Sequence, residues 1–512
     1  MREANTECGV YAIFDYRRDR NLIQDAYEGA LELGHRGQHA CGIGFITLGI
    51  RENTMNVIHH NGPIDTMVDK LESVIALPET RAAFGHTQYR TSGKHDTELA
   101  QDEKDPCSAQ PMLSPNGSMA LIWNGNIANF ENIKLDGEEV DTQTLMRLII
   151  EGMRKSNRVT MEEIMKDAFK NVEHKAQGAF NIVVMHKGDP QRNIPPALFA
   201  QRDRFGTRPL GYTLDNGRLI VYSEDCALPS QDSYRHNVPP GHMIHSMGLY
   251  PEPIKIITPK TKHCFFEWVY FSHVKSKLDG TRVSTARHES GKYLAELDKD
   301  NFGPQDPDVI VVPVPDSARA TSSSYANELM LLENTDAITR NPEFKGRQFI
   351  EQRKKGDKHI VNRKEVKGKK VILVEDSFVR GDTIQALIKD LRAAGAKEIH
   401  LRIACPPILG TCYKGIDIRT VEELFIPKLF DYNVPEFDEN GCLPLPALDK
   451  IAEALNVDSI KFLPIQDVPK ALLKKFNQLC MSCVFGKPEC YRTKSERELV
   501  QLDLEKVRNS SE

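Results

Sequence analysis

The stretch Val371-Ile-Leu-Val-Glu-Asp-Ser-Phe-Val-Arg-Gly-Asp-Thr383 limits the fold more than any other part of the chain. Its unbroken apolar run describes a strand buried on both faces, and such strands belong to parallel sheets covered by helices. The run ends on two carboxylates and a glycine, after which Ile384, Leu387, Ile388 and Leu391 recur at helical spacing up to Gly395. Strand, acidic turn and helix place Glu375 and Asp376 at the carboxyl end of a sheet, beside helix N–H groups that favour an anion. Ser377 and Thr383 add hydroxyls that can hold a phosphate, and the two carboxylates can hold ribose hydroxyls or Mg²⁺. With a second buried run at Val309-Ile-Val-Val312 and a further strand over Ile399–Ala404, the pattern is a doubly wound α/β domain.

That domain cannot be the whole of a 512-residue chain, which has room for two to four domains. Residues 8–254 have another texture, with short strands broken by turn pairs at Asn61-Gly62, Asn116-Gly117, Asn124-Gly125 and Asn216-Gly217. Helical periodicity appears there at Asp25–Leu33 and Asp141–Met153, so an α+β sandwich with helices over its sheets is expected. From about Pro427 a C-terminal segment carries a helix, Leu448–Leu455, and a charged tail ending in Asn509-Ser-Ser-Glu512 that is expected to fray. A net charge of −5 gives no basic surplus for nucleic acid. No apolar stretch is long enough to span a bilayer, and Met1–Glu7 is too short and polar for a secretory signal. A cytoplasmic protein is therefore expected, without nucleic-acid or membrane partners, and its eleven cysteines, an odd number, should be thiols, ligands or nucleophiles.

The acidic loop resembles the phosphoribosylpyrophosphate (PRPP) loop of type I phosphoribosyltransferases, which has four apolar residues, two acids and a short turn rich in glycine and threonine. Val312-Pro-Val-Pro-Asp-Ser317 is similar to that family's loop supplying a metal-contacting hydroxyl. The resemblance implies a PRPP site of Ser317, Glu375, Asp376, Ser377, Arg380, Gly381 and Thr383, with Ser317, Glu375 and Asp376 around Mg²⁺. Asp382 departs from the pattern, standing where that loop has threonine and placing a carboxylate near the 5′-phosphate.

A cysteine at the start of a strand, as in Cys8-Gly-Val-Tyr-Ala-Ile-Phe14, is ordinarily a small core residue. Here it precedes Gly34-His-Arg-Gly-Gln38, Gly85-His-Thr-Gln-Tyr89, Trp123-Asn-Gly125 and Asp141-Thr142, in the order found in class II glutamine amidotransferases, which resemble this segment. The resemblance implies a four-layer N-terminal-nucleophile sandwich in which Met1–Glu7 is a propeptide and Cys8 becomes the nucleophile. The freed α-amino group, with a pKa near 8, would be its base. By the same resemblance Asn124 and Gly125 form an oxyanion hole, Asp141 binds the glutamine α-amino group and Arg36 shapes the nucleophile's surroundings. Gln88 stands where the family has an arginine for the substrate carboxylate, and Arg90, two residues on, is a candidate replacement on the same face of an extended segment. Arg202–Pro209 and Ser223-Glu224 extend the likeness.

Joined in this order, the halves resemble one family, the glutamine PRPP amidotransferases (amidophosphoribosyltransferases). The junction motif Phe266-Glu-Trp-Val-Tyr-Phe271 with Asp279-Gly280, and Asn341 with Lys345–Ile350 as the start of a mobile loop, agree with it. The implied domains are a propeptide over 1–7, a glutaminase over 8–254, a phosphoribosyltransferase over 255–430 and a C-terminal segment over 431–512. The implied activity is synthesis of 5-phosphoribosylamine in purine biosynthesis, with purine nucleotides as inhibitors and a homo-oligomer, dimer or tetramer. The alternative, motivated by Gln88 and Asp382, is a divergent paralogue acting as a nucleotide-binding or interaction protein. Cys480-Met-Ser-Cys483 alone would fit a redox pair, half a zinc site or chance. Beside Cys264 and Cys412 it resembles the family's iron–sulfur branch, which implies one [4Fe–4S] cluster, with Zn²⁺ as the competing occupant of four thiolates.

Overall fold

The computed structural model describes residues 8–17, 21–75, 80–89, 109–230, 234–341, 359–416, 418, 420–488 and 493–510. Met1–Glu7, Arg90, Cys107, Lys345–Ile350 and Cys490 lie outside the described residues.

The amino-terminal half is built on two antiparallel sheets. In the first, the strand Gly9–Asp15 lies between Arg218–Tyr222 and Thr80–Gln88, followed outward by Ala40–Thr47 and Thr54–Asn61. In the second, Met119–Ile127 pairs with Gly178–His186, which pairs with Ala197–Arg202. Strand alternation sends Val10, Ala12 and Phe14 to one face, where they pack against Ala120, Ile122 and Val183 of the facing sheet. The opposite residues, Tyr11 and Ile13, pack against the helix Ile23–Glu32 through Ile23, Ala26 and Ala30. The helices Asp141–Lys155 and Met161–Lys175 cover the outer face of the second sheet through Leu145, Ile149, Phe169 and Val172. Helix, sheet, sheet and helix are the four expected layers.

The second half contains a parallel sheet in the order Leu332–Glu333, Val309–Pro313, Lys370–Glu375, Glu398–Ile403, Ser459–Phe462. Its central strands are buried on both faces, and the helix Asp382–Ala394 closes on Gly395 with φ 94°, a left-handed cap that only glycine adopts without strain. Its edge strand, Ser459–Phe462, comes from beyond the 255–430 span implied for this domain.

The charged tail carries the helix Lys494–Ser510, and its end at Ser511-Glu512 lies outside the described residues. Val500 and Val507 are buried and Leu504 packs on the main core, an apolar stripe at spacings of four and three, while buried Glu496 pairs with Lys414. Among the described residues no helix is long and apolar enough to cross a membrane.

Candidate active site

Cys8 immediately precedes the first strand, whose start is pinned from both sides. Gly9 N–H donates to Thr87 Oγ1 at 3.1 Å and Val10 N–H to Ser223 Oγ at 3.0 Å. The Cys8 thiol donates weakly to the Tyr89 carbonyl at 3.8 Å. Burial pushes that thiol up to about 12; the Tyr89 contact pulls it down and the nearby Asp141 carboxylate adds to the rise. Cys8 therefore carries its proton at neutral pH and needs a base to become a nucleophile.

Arg36 follows the helix Ile23–Glu32 on a turn held by its N–H on the Leu33 carbonyl at 2.9 Å. Its Nε donates to the Cys8 carbonyl at 3.2 Å, and its guanidinium is buried between Glu224 and Glu267. Gln88 is buried on the strand Thr80–Gln88, with its backbone packed against Gly37, where an added Cβ would sit 2.6 Å from the Gln88 carbonyl carbon.

Asn124 and Gly125 come from the facing sheet. His86, the strand partner of Val10, spans the gap with Nε2 on the Trp123 carbonyl at 3.1 Å, which sets Asn124 opposite the start of the first strand. The Asn124 side-chain amide nitrogen is buried without a hydrogen-bond partner among the described residues. Gly125 lies so close to the next strand that a Cβ would meet the Ala179 carbonyl at 1.9 Å. Trp123 Nε1 donates to Thr142 Oγ1 at 2.9 Å, tying this strand to the helix that presents buried Asp141 in its first turn. The indole is thus a tie to that helix. Cys8, Arg36, Gln88, Asn124, Gly125 and Asp141 are brought to one end of the sandwich; Arg90 is outside the described residues.

His86 gives a pH prediction. Burial drives its imidazole down to about 3, so the native state binds fewer protons than the unfolded chain between pH 6.5 and that value. Stability is therefore lost as pH falls through this window, by about 2 kcal/mol between pH 7 and 5. His86→Gln should remove this part of the pH slope in thermal melts, and an unchanged slope would assign the acid sensitivity elsewhere.

In the parallel sheet, Lys370–Glu375 delivers Glu375 and Asp376 to its carboxyl end, both buried. Asp376 accepts from the Ser317 hydroxyl and from Ser377 Oγ, the latter at 2.7 Å, and its N–H donates to Glu375 Oε1 at 3.1 Å. Burial raises the Asp376 carboxyl, while the Ser317 and Ser377 hydroxyls and the Arg287 guanidinium work against the rise. Gly381, at φ 79°, turns the chain into the helix beginning at Asp382, with Thr383 in its first turn. Arg380, just before this turn, pairs through its guanidinium with Glu423.

Cys264 and Cys480 are partners on a short parallel strand pair, and the Cys483 carbonyl accepts from Leu409 and Gly410 N–H at 2.8 and 2.9 Å. Burial raises the thiols of Cys264, Cys412 and Cys483, and neighbouring thiols of the set raise them further, so the four share one pocket of soft donors. The loop after Cys412 reaches the strand that carries Asn124 and Gly125, with Asn126 Nδ2 donating to the Tyr413 carbonyl at 2.9 Å and Gly415 against Gly125.

Glu224, Glu267, His86 and Thr142 lay in quoted motifs, but sequence reading gave them no role. His35, Glu224 and Cys226 have donor atoms within 4.8 Å of one another and could hold a metal ion. Glu224 is already engaged by Arg36, His35, the His273 N–H and Ser276 Oγ, which hold its carboxyl low despite burial.

Comparison with known proteins agrees with both halves. Residues 96–230 match a glutamine amidotransferase domain and residues 286–415 a phosphoribosyl transferase domain. The chain is 30% identical to amidophosphoribosyltransferase 1, chloroplastic, of Arabidopsis thaliana, over 94% of this chain and 78% of that one. It is 29% identical to the amidophosphoribosyltransferase of Methanocaldococcus jannaschii, over 94% and 97%. The solved glutamine PRPP amidotransferase of Bacillus subtilis, complexed with ADP and GMP, superposes with a TM-score of 0.74 at 25% identity, over 94% of this chain and 97% of that one. A glutaminase-type sandwich and a phosphoribosyltransferase-type sheet in one chain, with these relatives spanning both, place the protein in the amidophosphoribosyltransferase family.

Proposed function

We propose that the protein makes 5-phosphoribosylamine from glutamine, PRPP and water, releasing glutamate and pyrophosphate. The observation that supports this reading is the buried Asn124 amide nitrogen, without a hydrogen-bond partner among the described residues, on the strand that His86 ties to the start of the first strand. A polar group left so costs stability unless a ligand completes it.

After removal of residues 1–7 the Cys8 α-amino group takes the thiol proton, and the thiolate attacks the glutamine amide carbon. Charge developing on the amide oxygen is met by Asn124 Nδ2 and Gly125 N–H; Asp141 holds the substrate α-amino group, with Gln88 and Arg90 at its carboxylate. Water then hydrolyses the thioester to glutamate. The released ammonia passes to the second site and displaces pyrophosphate from C1 of PRPP. There Ser317, Glu375 and Asp376 would hold Mg²⁺, and their hard oxygen donors suit it. When bound, the ion neutralises charge on the departing pyrophosphate. The Gly381 turn, Ser377 and Thr383 would hold the 5′-phosphate, with Arg380 at the rim on Glu423. Purine nucleotides, as shared phosphate ligands, would inhibit at this site, and a homo-oligomeric cytoplasmic enzyme is the working form.

The test uses protein whose intact mass shows Cys8 as the first residue. With glutamine, PRPP and Mg²⁺ it should release glutamate and pyrophosphate in equal amounts. Release of neither, with calorimetric affinity for purine nucleotides, would favour a binding paralogue instead.

For the cysteines, Cys264, Cys412, Cys480 and Cys483 would hold a [4Fe–4S] cluster. Anaerobically purified protein should be brown with about four irons per chain, and Cys483→Ser should lose them. A colourless protein with one zinc would assign the site to Zn²⁺.

A further inference from the structure

We infer that Glu267, which lies outside the amide-handling half, is a positioning residue for the Cys8 nucleophile; the inference rests on the glutaminase reading above. Glu267 opens the short helical turn Glu267–Phe271 at the junction of the two halves. Its carboxylate takes Arg36 Nη2 at 3.1 Å on one oxygen and Arg36 Nη1 at 3.2 Å on the other, so it grips the guanidinium in a two-pronged fork. The same Arg36 supports the Cys8 carbonyl through Nε. Glu267 is itself fixed by Ser272 Oγ at 2.8 Å, with Arg208 Nη1 3.7 Å away.

The second carboxylate on Arg36 depends on the junction too. Glu224 Oε2 accepts the His273 N–H and Ser276 Oγ, both at 2.7 Å. From the other side Arg287, on the helix Val283–Glu296, donates to the carbonyls of Trp268, Tyr270 and Ser272 at 3.0, 3.0 and 2.8 Å. A run of buried contacts therefore leads from a helix of the phosphoribosyltransferase-type half, through the Glu267–Phe271 turn, to the backbone of the nucleophile. Arg36 and Glu267 are both almost fully buried, so no water replaces the fork when one prong is lost. Displacing an attacking atom by a fraction of an ångström slows chemistry without weakening substrate binding.

The experiment compares the parent with Glu267→Ala and, should that variant fail to fold, Glu267→Gln. Hydrogen exchange is followed at the Gly9 and Val10 amides, with Ile182–Val184 of the facing sheet as internal reference. Exchange at Gly9 and Val10 should rise at least tenfold in E267A, or threefold in E267Q, with the reference strand unchanged. The glutaminase kcat should fall about tenfold with KM for glutamine within twofold, while ammonia-dependent turnover of PRPP stays within twofold. Unchanged protection at Gly9 and Val10, or equal loss in the reference strand, would overturn the inference. A parent that hydrolyses no glutamine would sink the functional reading instead, and the exchange result would still decide the positioning role.

Discussion

Cys8→Ala should lower glutamine hydrolysis by at least about 10⁴-fold and leave ammonia-dependent formation of phosphoribosylamine within twofold of the parent. The asymmetry follows from where the residue sits. Among the described residues its thiol makes one weak hydrogen bond, to the Tyr89 carbonyl, so deleting the sulfur removes little that holds the sandwich together. The backbone ties of the first strand, Gly9 to Thr87 and Val10 to Ser223, do not involve the side chain. Asn124→Ala should behave alike but less severely, at about 10²–10³-fold, because it removes one of two oxyanion donors and spares the nucleophile. Glutamate release and ammonia-dependent pyrophosphate release, measured on the same preparation, check both. If C8A loses the two activities together, the sulfur is serving the fold and the nucleophile must be sought elsewhere.

The parts of this architecture legible in the sequence are those written in local periodicity. Ile384, Leu387, Ile388 and Leu391 all lie on the buried face of one helix, and the glycine read as its end is its left-handed cap. The acidic pair falls at the end of a buried strand because four apolar residues leave it nowhere else to go. What was not legible depends on partners far apart in the chain. Arg36 meets Glu224 and Glu267 across about 190 and 230 residues, and no spacing rule connects them. The strand Ser459–Phe462, half-buried at alternate positions, carries too weak a pattern to be joined to a sheet whose other members end at Ile403. Arg380 belongs to the loop whose family resemblance implies a PRPP ligand. Only the fold brings Glu423 to it. The helix of the tail is not legible for a related reason: charge dominates its composition, and the burial of Val500 and Val507 is visible only once the core they cover is in place.

Asp376→Asn should give the mirror image of C8A. Formation of phosphoribosylamine from either nitrogen source should fall about 10³-fold, a loss of about 4 kcal/mol of transition-state stabilisation. Glutamine hydrolysis without PRPP should stay within threefold. Asp376 is only 2% exposed and receives two hydroxyl hydrogen bonds, from Ser317 and Ser377, with the Arg287 charge near enough to oppose the rise in its carboxyl pKa. Burying a carboxylate at that depth works against stability. A fold alone would favour the neutral amide, which has the same shape and loses only the charge. The purified apo variant should therefore melt no lower than the parent, while calorimetry with PRPP and Mg²⁺ should show binding lost. The serine hydroxyl that faces the asparagine carbonyl keeps donating and the one that faces its NH2 can accept instead, so both contacts survive and do not confound the result. A D376N protein that melts well below the parent and loses glutamine hydrolysis too would make the acid pair a structural feature; one that keeps PRPP turnover would move the phosphoribosyl site away from this strand end.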